Sequence, residues 1–223
     1  MKKILYATDF SENAEKAFHY ALKITEKHKA ELMMLHFFNT PPVWANTKLE
    51  DLGQMIREAT VKWEEKLQKL FKKFDSSMEP TFLAVDNTSS VKGILSVIKK
   101  HKPDLVITGT KGKSLLKELF MGSTTKALIQ QSPVPVMAIP KNADYSVFDM
   151  VVYASDFQNS DIKALKELIE LIKPYQSEIK LIHVSTDNEY KSNQKMERFK
   201  ELVNDKISYE YISFELLLFN RIF

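Results

Sequence analysis

Five short apolar runs rich in β-formers alternate with amphipathic helical stretches across the first 140 residues, and few folds accommodate that alternation. Lys3 to Thr8 (KILYAT) is almost continuously apolar, as a strand buried on both faces of a parallel sheet must be. Ser11 then offers a helix N-cap, and Ala14, Ala17, Phe18, Ala21 and Leu22 recur at helical spacing. Glu31 to Phe38 is a second strand. After a loop marked by Pro41-Pro42, a long amphipathic helix runs from Leu49 to Phe74, with Trp63 among its core-facing residues. Thr81 to Val85, a helix through Val91, Ile94, Leu95 and Ile98, and Asp104 to Thr108 follow. A helix starting near Ser123 precedes a fifth strand, Val134 to Ile139, which Pro133 and Pro135 place at a sheet edge. This pattern predicts an α/β fold: an open, five-stranded, Rossmann-like parallel sheet with helices on both faces.

The pattern then restarts. Leu5-Tyr6-Ala7-Thr8-Asp9-Phe10 returns 147 residues later as Val152-Tyr153-Ala154-Ser155-Asp156-Phe157. The same gapless shift carries Ala17, Phe18, Ala21 and Leu22 onto Ala164, Leu165, Leu168 and Ile169, and Leu35-His36-Phe37 onto Ile182-His183-Val184. A duplication explains this register better than two unrelated βα units. The expected organisation is a complete domain over 1–141 and a partial second copy over 148–223. In the second copy Met196, Phe199 and Val203 mark a helix, and Ile207 to Phe214 a third strand. The closing Glu215 to Phe223 has no counterpart and calls for an apolar cover.

Composition excludes several classes. There is no cysteine, which removes disulfides, thiolate catalysis and cysteine metal sites. A net charge of +3 without a basic, aromatic-interleaved stripe gives no footprint for nucleic acid. No apolar stretch reaches the roughly 20 residues of a membrane helix. The expectation is a cytoplasmic protein without membrane or nucleic-acid partners.

Ligands of open parallel sheets bind beyond the C-terminal strand ends. The loop after the fourth strand reads Thr108-Gly109-Thr110-Lys111-Gly112-Lys113-Ser114 and continues to Met121-Gly122-Ser123-Thr124, a G-x2-G-x9-G-[ST] pattern that takes three of the chain's five glycines. Glycines permit close backbone approach and positive φ. Gly122-Ser123-Thr124 opens a helix whose N–H groups attract an anion, and two lysines stand nearby. The pattern is not a Walker A loop, since Ile107 stands where its first glycine would fall. A plainer reading, in which these glycines only turn the chain, stays open at this point.

With Ile4 to Ser11, the strand ending Leu35-His36-Phe37, the glycine loop and the closing Pro133-Val134-Pro135-Val136, the chain resembles the universal stress protein family. The nine-residue spacing between Gly112 and Gly122 is similar to that of its ATP-binding branch. The resemblance implies an adenine nucleotide alpha hydrolase-like domain that binds ATP, ADP or AMP, with Mg²⁺. By resemblance Asp9 lies against the adenine, Ala7 sits where the first loop nears the nucleotide, and the Phe37 backbone bonds the adenine edge. Gly109 approaches ribose and phosphates, while Gly112, Gly122, Ser123 and Thr124 surround the phosphates. It also implies dimers or tandem pseudo-dimers through the fifth strand, here Val134–Ile139; a homodimer through the C-terminal segment that calls for a cover is the other expectation.

The functional expectation is a stress-response or regulatory protein whose nucleotide occupancy signals to a partner. No nucleophile with a base is visible, so no catalytic residue is assigned and hydrolysis would be very slow. Adenylyl-transfer loops are absent: no histidine has another two or three residues away. A non-catalytic oligomerisation or interaction module without nucleotide is the alternative. The second copy contains no glycine and so no phosphate loop; one site per chain follows.

Overall fold

A computed structural model describes residues 1–40, 49–74, 76–87, 89–110, 121–143, 145–146, 148–185 and 189–218. The chain forms two compact units, Met1–Tyr145 and Ser146–Phe223.

The first unit runs β1 (Lys3–Thr8), α1 (Glu12–His28), β2 (Glu31–Phe38), α2 (Leu49–Phe71), β3 (Thr81–Asp86), α3 (Ser90–His101), β4 (Leu105–Gly109), α4 (Ser123–Gln131) and β5 (Val136–Ile139). Its sheet has the order β3-β2-β1-β4-β5, all parallel. The central strand carries the run whose residues Ile4, Leu5 and Tyr6 lose all solvent exposure. One face of the sheet, built on Leu5, Ala7, Leu35 and Val106, packs on Ile94 and Val97 of α3 and Leu128 of α4. The opposite face is aromatic: Tyr6 meets Phe18 of α1 at 5.1 Å, and Phe18 meets Phe71 of α2 at 6.4 Å. Truncating fully buried Phe18 to Ala removes about 3–5 kcal/mol. Ser11 caps α1 as expected, accepting from Ala14 N at 3.2 Å.

The expected edge position of the fifth strand holds, but β5 begins at Val136 rather than Val134. Proline supplies no N–H to a ladder, although the Pro135 carbonyl still accepts from Val106 N at 3.0 Å.

The second unit runs β6 (Met150–Ala154), α5 (Asp161–Ile172), a 3-10 turn at Lys173–Tyr175, β7 (Glu178–Ser185), α6 (Glu189–Lys206) and β8 (Ile212–Leu218). Its parallel sheet has the order β6-β7-β8. The third strand starts five residues later and ends four residues later than the expected Ile207–Phe214. Ile207 N bonds Val203 O at 2.8 Å and ends the helix, and Tyr209 turns its hydroxyl to Ser177 O. Glu215 to Leu218, which had no assigned role, completes β8 against β7. Residues 219–223 of that tail lie outside the described residues. Among the described residues no helix is long and apolar enough to cross a membrane.

Candidate functional site

Strand order reverses between β1 and β4, and a cavity of about 300 Å³ opens there at the C-terminal strand ends. β1 and its following turn bring Ala7, Thr8 and Asp9 to it, and β2 brings Phe37. Thr108 and Gly109 come from the end of β4, and Gly122, Ser123 and Thr124 from the start of α4. Seven of the eight predicted residues thus share one cavity. The eighth, Gly112, lies outside the described residues, as do Lys111 and Lys113.

The glycines act differently from the expectation. Among the described residues no glycine has positive φ. Gly109 is needed for close approach instead: a Cβ there would lie 2.7 Å from Asn13 Nδ2 and 3.2 Å from Asn13 O, at the first turn of α1. Gly122 is the extended N-cap of α4, at φ −59° and ψ 148°, and gives the helix no side-chain cap. Its own N–H donates to Thr110 O at 2.7 Å. The next N–H groups have no partner within the helix, so this end of the cavity favours an anion. The hydroxyls of Ser123 and Thr124 add donors on the same rim.

Asp9 has a structural duty besides lining the cavity: its Oδ1 accepts from Ser11 N at 3.0 Å and shapes the turn into α1. Phe10 takes the left-handed conformation there, at φ 58°. Its ring stacks on Trp63, with centroids 5.8 Å apart, and lies 4.6 Å from that of His36. Trp63, read as core, is half-buried and lines a second cavity of about 460 Å³ with Asp9, Phe37 and Met55. His36 Nδ1 lies 2.8 Å from Thr8 O and His183 Nδ1 lies 2.7 Å from Ser155 O. A carbonyl only accepts, so Nδ1 carries the proton in each, and both histidines fasten the first two strands of their units.

Sequence reasoning missed Ala14, Ser90, Ile94 and Thr125 on the first cavity wall. Thr125 Oγ1 donates to Gly109 O at 2.9 Å, both buried, and ties the two halves of the glycine motif together. These residues sit on helices brought in by crossovers, and no local motif marks them. In the second unit the counterpart of Ala14 is Asp161. Its Oδ2 accepts from Ser155 Oγ at 2.6 Å and from Gln158 N at 3.2 Å. A carboxylate thus stands where the first unit exposes a methyl group to its cavity.

The sequence model of the universal stress protein family matches residues 1–140. The chain belongs to that family. A universal stress protein of Methanocaldococcus jannaschii is 28% identical over 158 residues, covering 63% of this chain and 95% of the relative. A universal stress protein of Thermus aquaticus is 27% identical over 143 residues, covering 62% and 98%. The crystal structure of a universal stress protein from Archaeoglobus fulgidus covers 97% of this chain and 78% of its own, with a TM-score of 0.61 at 21% identity. That likeness establishes the fold across the chain.

Proposed function

We propose that the first unit binds one adenine nucleotide, ATP with Mg²⁺ or its ADP or AMP products, and that occupancy signals to a partner. The observation that carries this reading is a single cavity running from Asp9 and Phe37 to the side-chain-uncapped start of α4. Asp9 and the Phe37 backbone would hold the base, with Ala7 beneath it. Gly109 would admit the ribose, and Gly112, Gly122, Ser123 and Thr124 would surround the phosphates. The donors on the rim are neutral N–H and hydroxyl groups, which suit phosphate oxygens. No group of three His, Asp or Glu among the described residues could hold a metal alone. Mg²⁺, which would neutralise phosphate charge, therefore fits as an ion held chiefly by the phosphates and these hydroxyls.

Asp9 is the one carboxylate or imidazole on the described cavity wall, and its Oδ1 is engaged by Ser11 N. With no base beside a nucleophile on the described cavity wall, binding suits the site better than fast turnover. We also read the second unit as a C-terminally incomplete copy of the first, and cytoplasmic homodimers through the β5 edge or the C-terminal segment as the assembly. The second unit repeats the strand–helix–strand–helix–strand order, the left-handed phenylalanine (Phe157, φ 54°) and the histidine tie.

The test is the nucleotide content of the purified full chain. Denatured protein should release about one adenine nucleotide per chain on ion exchange, and Gly122→Val, which projects a side chain into the cavity, should release none. An empty protein that also gains no heat stability with Mg-ATP overturns the reading and favours the interaction module.

A further inference from the structure

The second unit carries cationic chemistry that the nucleotide reading leaves unused. On α6, Lys191, Lys195 and Arg198 are spaced i, i+4 and i+7, so they share one helix face. All three line a cavity of about 270 Å³ between α6 and the loop after β6. Two acidic residues of the helix are held by other lysines: Glu197 pairs with Lys200 at 2.7 Å and Asp205 with Lys206 at 2.7 Å. Asp156, in this loop, lies 4.0 Å from His183 and is not among the described residues lining the cavity. Among the described residues the lining combines three positive groups with the neutral amides of Asn159 and Gln194, and includes no carboxylate. Its floor is apolar and firm, since Phe157 and Phe199 are buried and their rings lie 5.3 Å apart. The cavity also opens beyond the C-terminal end of β6, the side on which parallel sheets take ligands.

We propose that this groove binds an oligophosphate chain. Arg198 can fork onto two phosphate oxygens while the lysines act as point charges, and the amides supply further donors. The three cations span two turns of α6, about 10 Å, so the groove suits two or three linked phosphates better than a single one. Free polyphosphate and the protruding phosphates of a nucleotide are two sources of that one chemistry. The second unit, with Asp161 at the position of Ala14, places its anion site on α6 rather than at a glycine loop.

The experiment is calorimetric titration of the full-length chain with inorganic tripolyphosphate at fixed ionic strength, in Gly122→Val to silence the first unit. Saturable binding is expected, weakened at least tenfold by Lys195→Gln with Arg198→Gln and less by Arg198→Lys. Circular dichroism of these variants, at exposed or half-buried positions, should match the parent. Competition by ATP at similar concentration assigns the nucleotide source, and its failure assigns free polyphosphate; both support an oligophosphate site. Equal affinity in the double variant, equal displacement by sulfate, or no binding overturns the proposal.

Discussion

Gly93 sits on α3 with its Cα facing the ring of Phe37. A Cβ at this position would lie 2.3 Å from Phe37 Cε1, 2.6 Å from Cδ1 and 3.1 Å from Cζ. The ring must therefore move in Gly93→Ala, and Phe37 is half-buried on the wall of the first cavity. Two terms of opposite sign compete. Overpacking costs about 1–3 kcal/mol, and replacing a mid-helix glycine by alanine returns about 1 kcal/mol. The net loss should be about 0–2 kcal/mol, or a fall of a few degrees in the melting temperature at about 2–4 °C per kcal/mol. The decisive assay is a double-mutant cycle by urea denaturation. In a Phe37→Ala background the clash is gone, so Gly93→Ala should become stabilising by about 0.5–1 kcal/mol. An equal loss in both backgrounds would refute the argument that Gly93 is held small by the Phe37 ring. Because Phe37 lines the cavity, the single variant should also weaken Mg-ATP binding by about fivefold or more, as about 1 kcal/mol of lost complementarity implies.

Three further outcomes are expected. Thr125→Val removes the buried bond to Gly109 O and should cost about 1–3 kcal/mol in denaturant unfolding, with a larger loss of nucleotide affinity than a surface Thr→Val control. Burial holds the Tyr6 phenol well above the ordinary tyrosine value, its hydroxyl bonded to Ala14 O at 2.6 Å. The neutral form is thus favoured in the fold, so its contribution is complete below about pH 10 and declines as pH rises further; Tyr6→Phe should lose less stability between about pH 9 and 11 than the parent. Asp161→Ala frees the loop after β6, and hydrogen exchange should quicken at Gln158 N, which bonds Asp161 Oδ2, and at Phe157 N, whose acceptor Ser155 Oγ itself donates to Asp161.

The parallel sheet was legible because strands buried on both faces must be continuously apolar and their crossovers amphipathic. The β1 run and the α1 stripe met both conditions. Local pattern misplaced β8, since Ile207 and Tyr209 look β-prone while one serves the helix end and the other reaches Ser177. The glycine motif led to the first cavity for an incomplete reason. Gly109 answers to Asn13, which is 96 residues away in sequence, and spacing carries no trace of that contact. Ser90, Ile94 and Thr125 escaped notice for the same cause, because α3 and α4 acquire their meaning only once the crossovers seat them over β1 and β4. Trp63 fitted a core stripe by periodicity, yet its ring also meets His36 at 4.3 Å beside a cavity, which the stripe alone does not reveal.

The central claim, one adenine-nucleotide site per chain built on the first unit, is tested most directly by the stoichiometry of Mg-ATP binding to nucleotide-stripped full-length protein. Titration calorimetry should give about one tight site per chain, abolished by Gly122→Val and unchanged by substitutions at Lys195 and Arg198. No tight site, or a tight site that survives Gly122→Val, would contradict the account.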